Sequence, residues 1–223
     1  MVKNRVFAVV FRFISAAVTI TGLVLGSGLS GGPARLLSYT DQSNLLCALY
    51  FVYAASRAGY DAIKKGMRGS ACYSPAFAGG VLVTILFTMI IFWGVLAPNT
   101  GGQRLLGAGN LILHTFSPLL MLADYVMFCQ KCTLKKRDTL VFALFPVVYV
   151  AQSLILAACG FVFYTKDGIQ HHYPYLFMDF KAIGFWAAVA VTVISAMFVG
   201  ASLLLIFVNN KDFRRRQRLD THS

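Results

Sequence analysis

His114 lies inside an apolar stretch that runs from Leu105 to Cys129. Inserting a central Asp, Lys or Arg at membrane depth costs about 2.5 to 3.5 kcal/mol, so an ionisable group kept there points to a task. Asn110 and His114 are spaced i, i+4, and His114 and Ser117 i, i+3, so one helical face offers an amide, an imidazole and a hydroxyl together. An imidazole takes up and releases a proton near neutrality, which makes His114 the most capable member of that face. Interhelical hydrogen bonding is the competing role; it contributes under about 1 to 2 kcal/mol per bond and is common in membranes. It suits Asn110, Ser117 and Asp124 better than it suits His114.

Two further clusters carry polar chemistry. Tyr39-Thr40-Asp41-Gln42-Ser43-Asn44 opens an apolar segment that continues from Leu45. Thr and Asp are good helix-start residues, but capping accounts for only part of this run. Gln170-His171-His172-Tyr173-Pro174-Tyr175, reaching Asp179, precedes the last apolar stretch. Adjacent histidines point in different directions on any regular element, so without further ligands no metal site is expected there. The tyrosines beside them suit an interfacial aromatic belt. Cys129 and Cys132 form a lone CxxC lacking a second pair or nearby histidines, which predicts unpaired thiols rather than zinc. No cofactor is implied.

The elements that must position these groups follow from composition. The chain has 223 residues, of which 58% are hydrophobic and 13% charged, and a mean hydropathy of +0.69. That is the signature of a polytopic membrane protein. Roughly 20 apolar residues span the hydrocarbon as a helix. Six stretches approach that length: Val6 to Leu25, Leu36 to Tyr53, Phe77 to Leu96, Leu105 to Cys129, Leu140 to Phe163 and Ala182 to Val208. The predicted fold is all-α, with one six-helix transmembrane domain over 1–208 and a basic tail over 209–223.

Lys and Arg sort sharply among the connectors. One side takes Lys3 and Arg5, then Arg57, Lys64, Lys65 and Arg68, then Lys131, Lys135, Lys136 and Arg137, and finally Lys211, Arg214, Arg215, Arg216 and Arg218. The other takes only Arg35, Arg104, Lys166 and Lys181. The positive-inside rule therefore predicts that both termini are cytoplasmic. A net charge of +12 spread over juxtamembrane loops predicts contact with anionic headgroups rather than nucleic acid. Lys3 and Arg5 before an apolar run resemble a secretory signal, but the run exceeds a usual h-region and Gly26 to Gly32 lacks a clear cleavage pattern, so the segment is read as a retained span. Arg12, near its start, is expected to snorkel to the interface.

On this topology the second, fourth and sixth spans run from outside to inside. Their beginnings, carrying Thr40, His114 and Asp179, share the outer half of the bilayer and enclose a polar cavity. At about 1.5 Å per residue Thr40 lies about 6 Å below the start of its span and His114 about 14 Å below its own, a gap that tilt must close. No internal repeat is evident, and Pro118 and Pro146 do not match across three-helix halves, which counts against an inverted-repeat transporter built around Asp41, His114 and Asp124.

Three segments carry a family resemblance: Tyr39-Thr40-Asp41-Gln42-Ser43-Asn44-Leu45-Leu46, Asn110 through His114-Thr115 to Pro118, and Tyr173-Pro174-Tyr175-Leu176. The chain resembles a bacterial relative of the androgen-induced and androgen-dependent TFPI-regulating proteins, which are six-helix intramembrane hydrolases. The resemblance covers nearly the whole chain. It implies that Thr40 is a nucleophile and His114 its base, acting on fatty acid esters of hydroxy fatty acids or similar lipids in a bacterial cytoplasmic membrane. Beside this pair the residue inventory itself offers Asn44 or Asn110, with Ser117, to orient the base or donate to an oxyanion, Asp179 to hold the imidazole with Asp124 a deeper alternative, and Tyr39, Gln42, Ser43, Tyr173 and Tyr175 as candidates for a substrate pocket. The interval from His114 to Pro118 is one residue tighter than in vertebrate members.

Overall fold

The computed structural model describes residues 1–26, 35–99, 107–130, 133–166 and 168–220. The 27–34 stretch, Arg104, Lys131 and Cys132 lie outside the described residues. Among the described residues run eight α-helices: α1 (Arg5–Gly26), α2 (Tyr39–Lys65), α3 (Pro75–Ile91), α4 (Ala108–Leu111), α5 (Ser117–Phe128), α6 (Asp138–Ala158), α7 (Phe180–Ile183) and α8 (Phe185–Asp220). A π-helical turn over Phe92–Leu96 prolongs α3, and another over Ile112–Phe116 joins α4 to α5. The chain is mostly helical, in keeping with the all-α expectation, and the described residues add one small hairpin. Strands β1 (Tyr164–Lys166) and β2 (Ile169–His171) form an antiparallel hairpin, with Tyr164 opposite His171. α8 runs on through Val208 to Asp220, into the basic segment at the end of the chain.

Among the described residues five helices are long and apolar enough to cross a membrane: Arg5–Gly26, Pro75–Leu96, Ala108–Phe128, Asp138–Ala158 and Phe185–Lys211. The sixth long helix, α2, has 27 residues and reaches about 40 Å at about 1.5 Å per residue. Its hydropathy is lowered by the polar opening run and by Arg57, Asp61, Lys64 and Lys65.

Burial separates centre from rim. In their apolar stretches 56% of the residues of α3 and its extension are buried, against 17% for α6 and α8, so α3 lies toward the centre and α6 and α8 toward the rim. Phe51 of α2, Leu82 and Ile85 of α3, Met121 of α5, Phe142 of α6 and Phe198 of α8 meet around it. Leu144, Val147 and Val148 on α6 and Trp186, Leu204 and Phe207 on α8 are exposed. An apolar perimeter of this extent is suited to lipid.

Small residues set the close approaches. A Cβ on Gly109 would run into the backbone of Gly26, so only glycine lets α1 and α4 touch at this level.

The two ends of the bundle differ. At one end Val2 N–H donates to Met127 O (2.7 Å), Arg5 Nη1 donates to Gly66 O (2.7 Å), and Thr133 N–H donates to Asn209 Oδ1 (3.2 Å). The start of α2, the end of α3 and the segment before α8 meet at the other. Arg5, Lys65 and Arg68 lie together at the first of these ends.

Arg12 corrects the sequence reading. It does not snorkel; it is fully buried. Its Nε donates to Asp124 Oδ1 (2.6 Å) and Nη2 to Oδ2 (3.3 Å), while Nη1 donates to Ala54 O (3.1 Å) and Ala71 O (2.9 Å). Tyr50 Oη donates to Asp124 Oδ2 (3.0 Å), and the guanidinium lies 4.9 Å from the centre of the Phe128 ring. The inward turn has a physical reason: Asp124 is the counter-charge within reach, and pairing with several hydrogen bonds is how a buried charge is tolerated.

Candidate functional site

α2 starts where it does because Ser38 is extended (φ −74°, ψ 150°) and its Oγ accepts from Asp41 N–H at 3.0 Å. That cap places Thr40 in the first turn and Asn44 one turn deeper. Asn44 is fully buried, and its Nδ2 donates to Thr40 O (2.9 Å) and to Leu113 O (3.1 Å). One amide thus ties the turn holding Thr40 to the peptide preceding His114. Both hydrogens of that amide are committed, so Asn44 braces the site and has no donor left for an oxyanion.

On the facing helix Pro118 has no N–H to return to the carbonyl of His114. The chain widens instead into a π turn, and Ser117 N–H bonds to Ile112 O. π turns inside helices recur at functional sites. This one breaks the i, i+4 register on which the expected polar stripe rests. Ser117 Oγ is buried and unpartnered rather than bonded to His114, and Asn110 sits half-buried at the head of the turn.

The His114 ring stacks on Phe92, with centroids 3.6 Å apart and planes 6° from parallel. Phe92 belongs to the other π turn, and Trp93 Nε1 donates to Thr115 Oγ1 at 3.1 Å, so the two widened turns are clasped face to face. His114 is 5% exposed, and its Nδ1 has no hydrogen-bond partner. No hydrogen bond joins it to Thr40 among the described residues.

Neither proposed carboxylate orients His114. Asp179 Oδ1 accepts from Lys181 and Ala182 N–H (3.0 and 3.1 Å), capping α7, and its Oδ2 faces His171 Nδ1 at 3.3 Å. Local backbone donors and a sequence neighbour capture it before a distant ring can. Asp124 is committed to Arg12 and Tyr50. His171 also stacks on Tyr164 (4.5 Å), and the Nδ1 of His172 lies 2.9 Å from Phe161 O.

Thr40 opens onto a cavity of about 100 Å³ between α2, α3, α6 and α8. Tyr39, Thr40, Thr88, Tyr149, Tyr175 and Ser195 supply its hydroxyls; Phe87, Met178, Ile194 and Phe198 supply much of its apolar wall. Tyr175 Oη accepts from Tyr39 N–H (3.2 Å) and sits beside the Thr40 hydroxyl. Burial holds this phenol above its ordinary pKa, which keeps it a neutral donor. His114 is not a wall residue, although Ile91 and Leu96, bounding the Phe92 turn, are.

Of the five residues expected in the pocket, Tyr39 and Tyr175 line it. Gln42 Nε2 instead donates to Gln152 Oε1 (3.2 Å), Ser43 Oγ pairs with Thr88 Oγ1 (2.8 Å), and Tyr173 packs on Phe180 at 6.4 Å. Sequence reasoning missed Tyr149 and Phe92. Tyr149 stands three residues after Pro146, within a span that also holds Gln152 and Ser153, a signal that was there to read. Phe92 carried none.

No family model, no curated protein and no solved structure matches this chain.

Proposed function

We propose that this chain is a six-span membrane protein with both termini cytoplasmic, and that it hydrolyses lipid esters such as fatty acid esters of hydroxy fatty acids. In this reading Thr40 is the nucleophile and His114 the base. The observation that carries the reading is the Asn44 amide, which holds the Thr40 turn against the His114 turn at the edge of an apolar cavity. A hydroxyl is a weak nucleophile at its free pKa and needs an adjacent base, and imidazole is the side chain suited to that work near neutrality.

The chemistry runs in two halves. Thr40 Oγ1 attacks the ester carbonyl while His114 takes its proton; collapse of the tetrahedral species expels the alcohol, which receives that proton. Water, deprotonated by His114, then attacks the acyl-threonine, releasing the acid and restoring both residues. Tyr175, a neutral phenol beside Thr40, is placed to donate to the developing oxyanion. Proton transfer requires the ring within about 2.6 to 3.2 Å of the hydroxyl, or one water away, and catalytic contacts of this kind tighten only with substrate bound.

The setting fits a bacterial cytoplasmic membrane, with the basic end against anionic headgroups and the ester entering from the opposite leaflet. A second reading, a lipid-binding protein without hydrolysis, draws support from the absence of His114 from the cavity wall. The transporter reading loses Asp124 to its ion pair with Arg12.

Purified protein in mixed micelles with a branched fatty acid ester separates these readings. Thr40→Ala and His114→Ala are each expected to lower turnover by about a hundredfold or more, the scale of a nucleophile or general base. Turnover unchanged in both variants defeats the assignment; intact ester retained equally by wild type and variants, with no product, favours binding alone.

A further inference from the structure

Cys72 Sγ and Cys129 Sγ lie 2.7 Å apart, against about 2.05 Å for a disulfide bond. The fold, rather than chain proximity, brings them together. Cys72 stands in the connection between α2 and α3, and Cys129 caps α5. Each is held by its own contacts. Cys72 N–H donates to Ser70 Oγ (3.3 Å), the preceding Ala71 O accepts from buried Arg12 (2.9 Å), and Cys129 N–H donates to Tyr125 O (3.0 Å).

The two thiols differ in a way that suits sequential chemistry. Cys129 is 4% exposed, whereas Cys72 is half-buried and is the sulfur an oxidant reaches. Its contact with Cys129 holds the Cys72 thiol below the ordinary thiol pKa despite burial, favouring the reactive thiolate.

We propose that Cys72 and Cys129 form a reversible disulfide, with a peroxide as oxidant. The Cys72 thiolate attacks the O–O bond of the peroxide, gains the hydroxyl as a sulfenic acid, and one water leaves. Cys129 then attacks that sulfur and loses its proton, the S–O bond breaks, and a second water departs. Two thiols and hydrogen peroxide thus yield one disulfide and two waters, and a dithiol reductant returns both thiols. The bond joins the connection that caps Arg12 to the helix that carries Asp124, so oxidation straps together the two sides of the buried ion pair.

Cys132, three residues after Cys129, is the sequence-adjacent competitor. The test treats the purified full-length protein with hydrogen peroxide, unfolds it, alkylates free thiols, and maps peptides by mass spectrometry. Two of the five cysteines are expected to escape alkylation, a Cys72-to-Cys129 linked peptide to appear, and dithiothreitol to remove it. Cys132→Ser should leave the link intact, and Cys72→Ser should abolish it. A Cys129-to-Cys132 link in the wild type, or five alkylated thiols after peroxide, overturns the proposal. Because thiols are counted after unfolding, a poorly folded variant does not blur the wild-type result.

Discussion

The contact that positions the imidazole of His114 is the ring of Phe92, and no carboxylate touches it among the described residues. With Asp179 on His171 and Asp124 on Arg12, the stacked ring of Phe92 is the contact that fixes the plane of His114. Phe92→Leu keeps the volume apolar and removes the flat surface. It is expected to lower kcat for ester hydrolysis by about tenfold, the scale of a lost orienting contact, with KM unchanged. Steady-state kinetics beside Thr40→Ala checks this, and an unaltered kcat would show that stacking has no part. His114 was legible because an ionisable residue in an apolar run stands out in any window. Phe92 was not, since phenylalanine is an ordinary residue of membrane spans and only the fold reveals which ring it meets. Asp179 was misassigned for a related reason: sequence supplies its depth but not its lateral partner.

The helices show why some local rules held and others failed. Ser38, Ser74 and Pro75 start α2 and α3 as capping chemistry requires. The i, i+4 stripe of Asn110, His114 and Ser117 failed because Pro118 forces a π turn, a consequence visible in the sequence only as a proline in mid-span. Arg12 defied snorkelling because its partner lies on a helix more than a hundred residues away, a pairing that no periodicity encodes. Removing one member of that pair strands a buried charge. Asp124→Ala is therefore expected to cost about 3 to 5 kcal/mol, and replacing Arg12 and Asp124 together by Met and Leu to recover most of it. Thermal unfolding in detergent checks both, and equal losses in the single and double variants would show that the pair does not act as a unit.

At the scale of the molecule, hydropathy carried most of the architecture. Composition places the chain in a membrane, and the structure supplies an apolar perimeter and five helices that qualify as spans. α2 falls short of that standard because its two ends carry the polar residues that build the site and the basic connector. The small hairpin escaped notice because three-residue strands leave almost no periodic signal. The proposed orientation is open to labelling in whole cells. A membrane-impermeant maleimide should modify Gln170→Cys in intact cells, and Lys64→Cys only after permeabilisation, both in a background lacking the native cysteines. The reverse pattern would invert the topology and move the cavity mouth to the other leaflet.

The catalytic pairing itself is tested most directly by trapping the covalent intermediate. Purified protein is treated with a fluorophosphonate bearing an acyl chain, digested, and the modified peptide identified by mass spectrometry in wild type and in His114→Ala. The account predicts an adduct on Thr40 in the wild type and its loss without the imidazole. An adduct on Ser43 or Ser195, or undiminished labelling of Thr40 in His114→Ala, would contradict it.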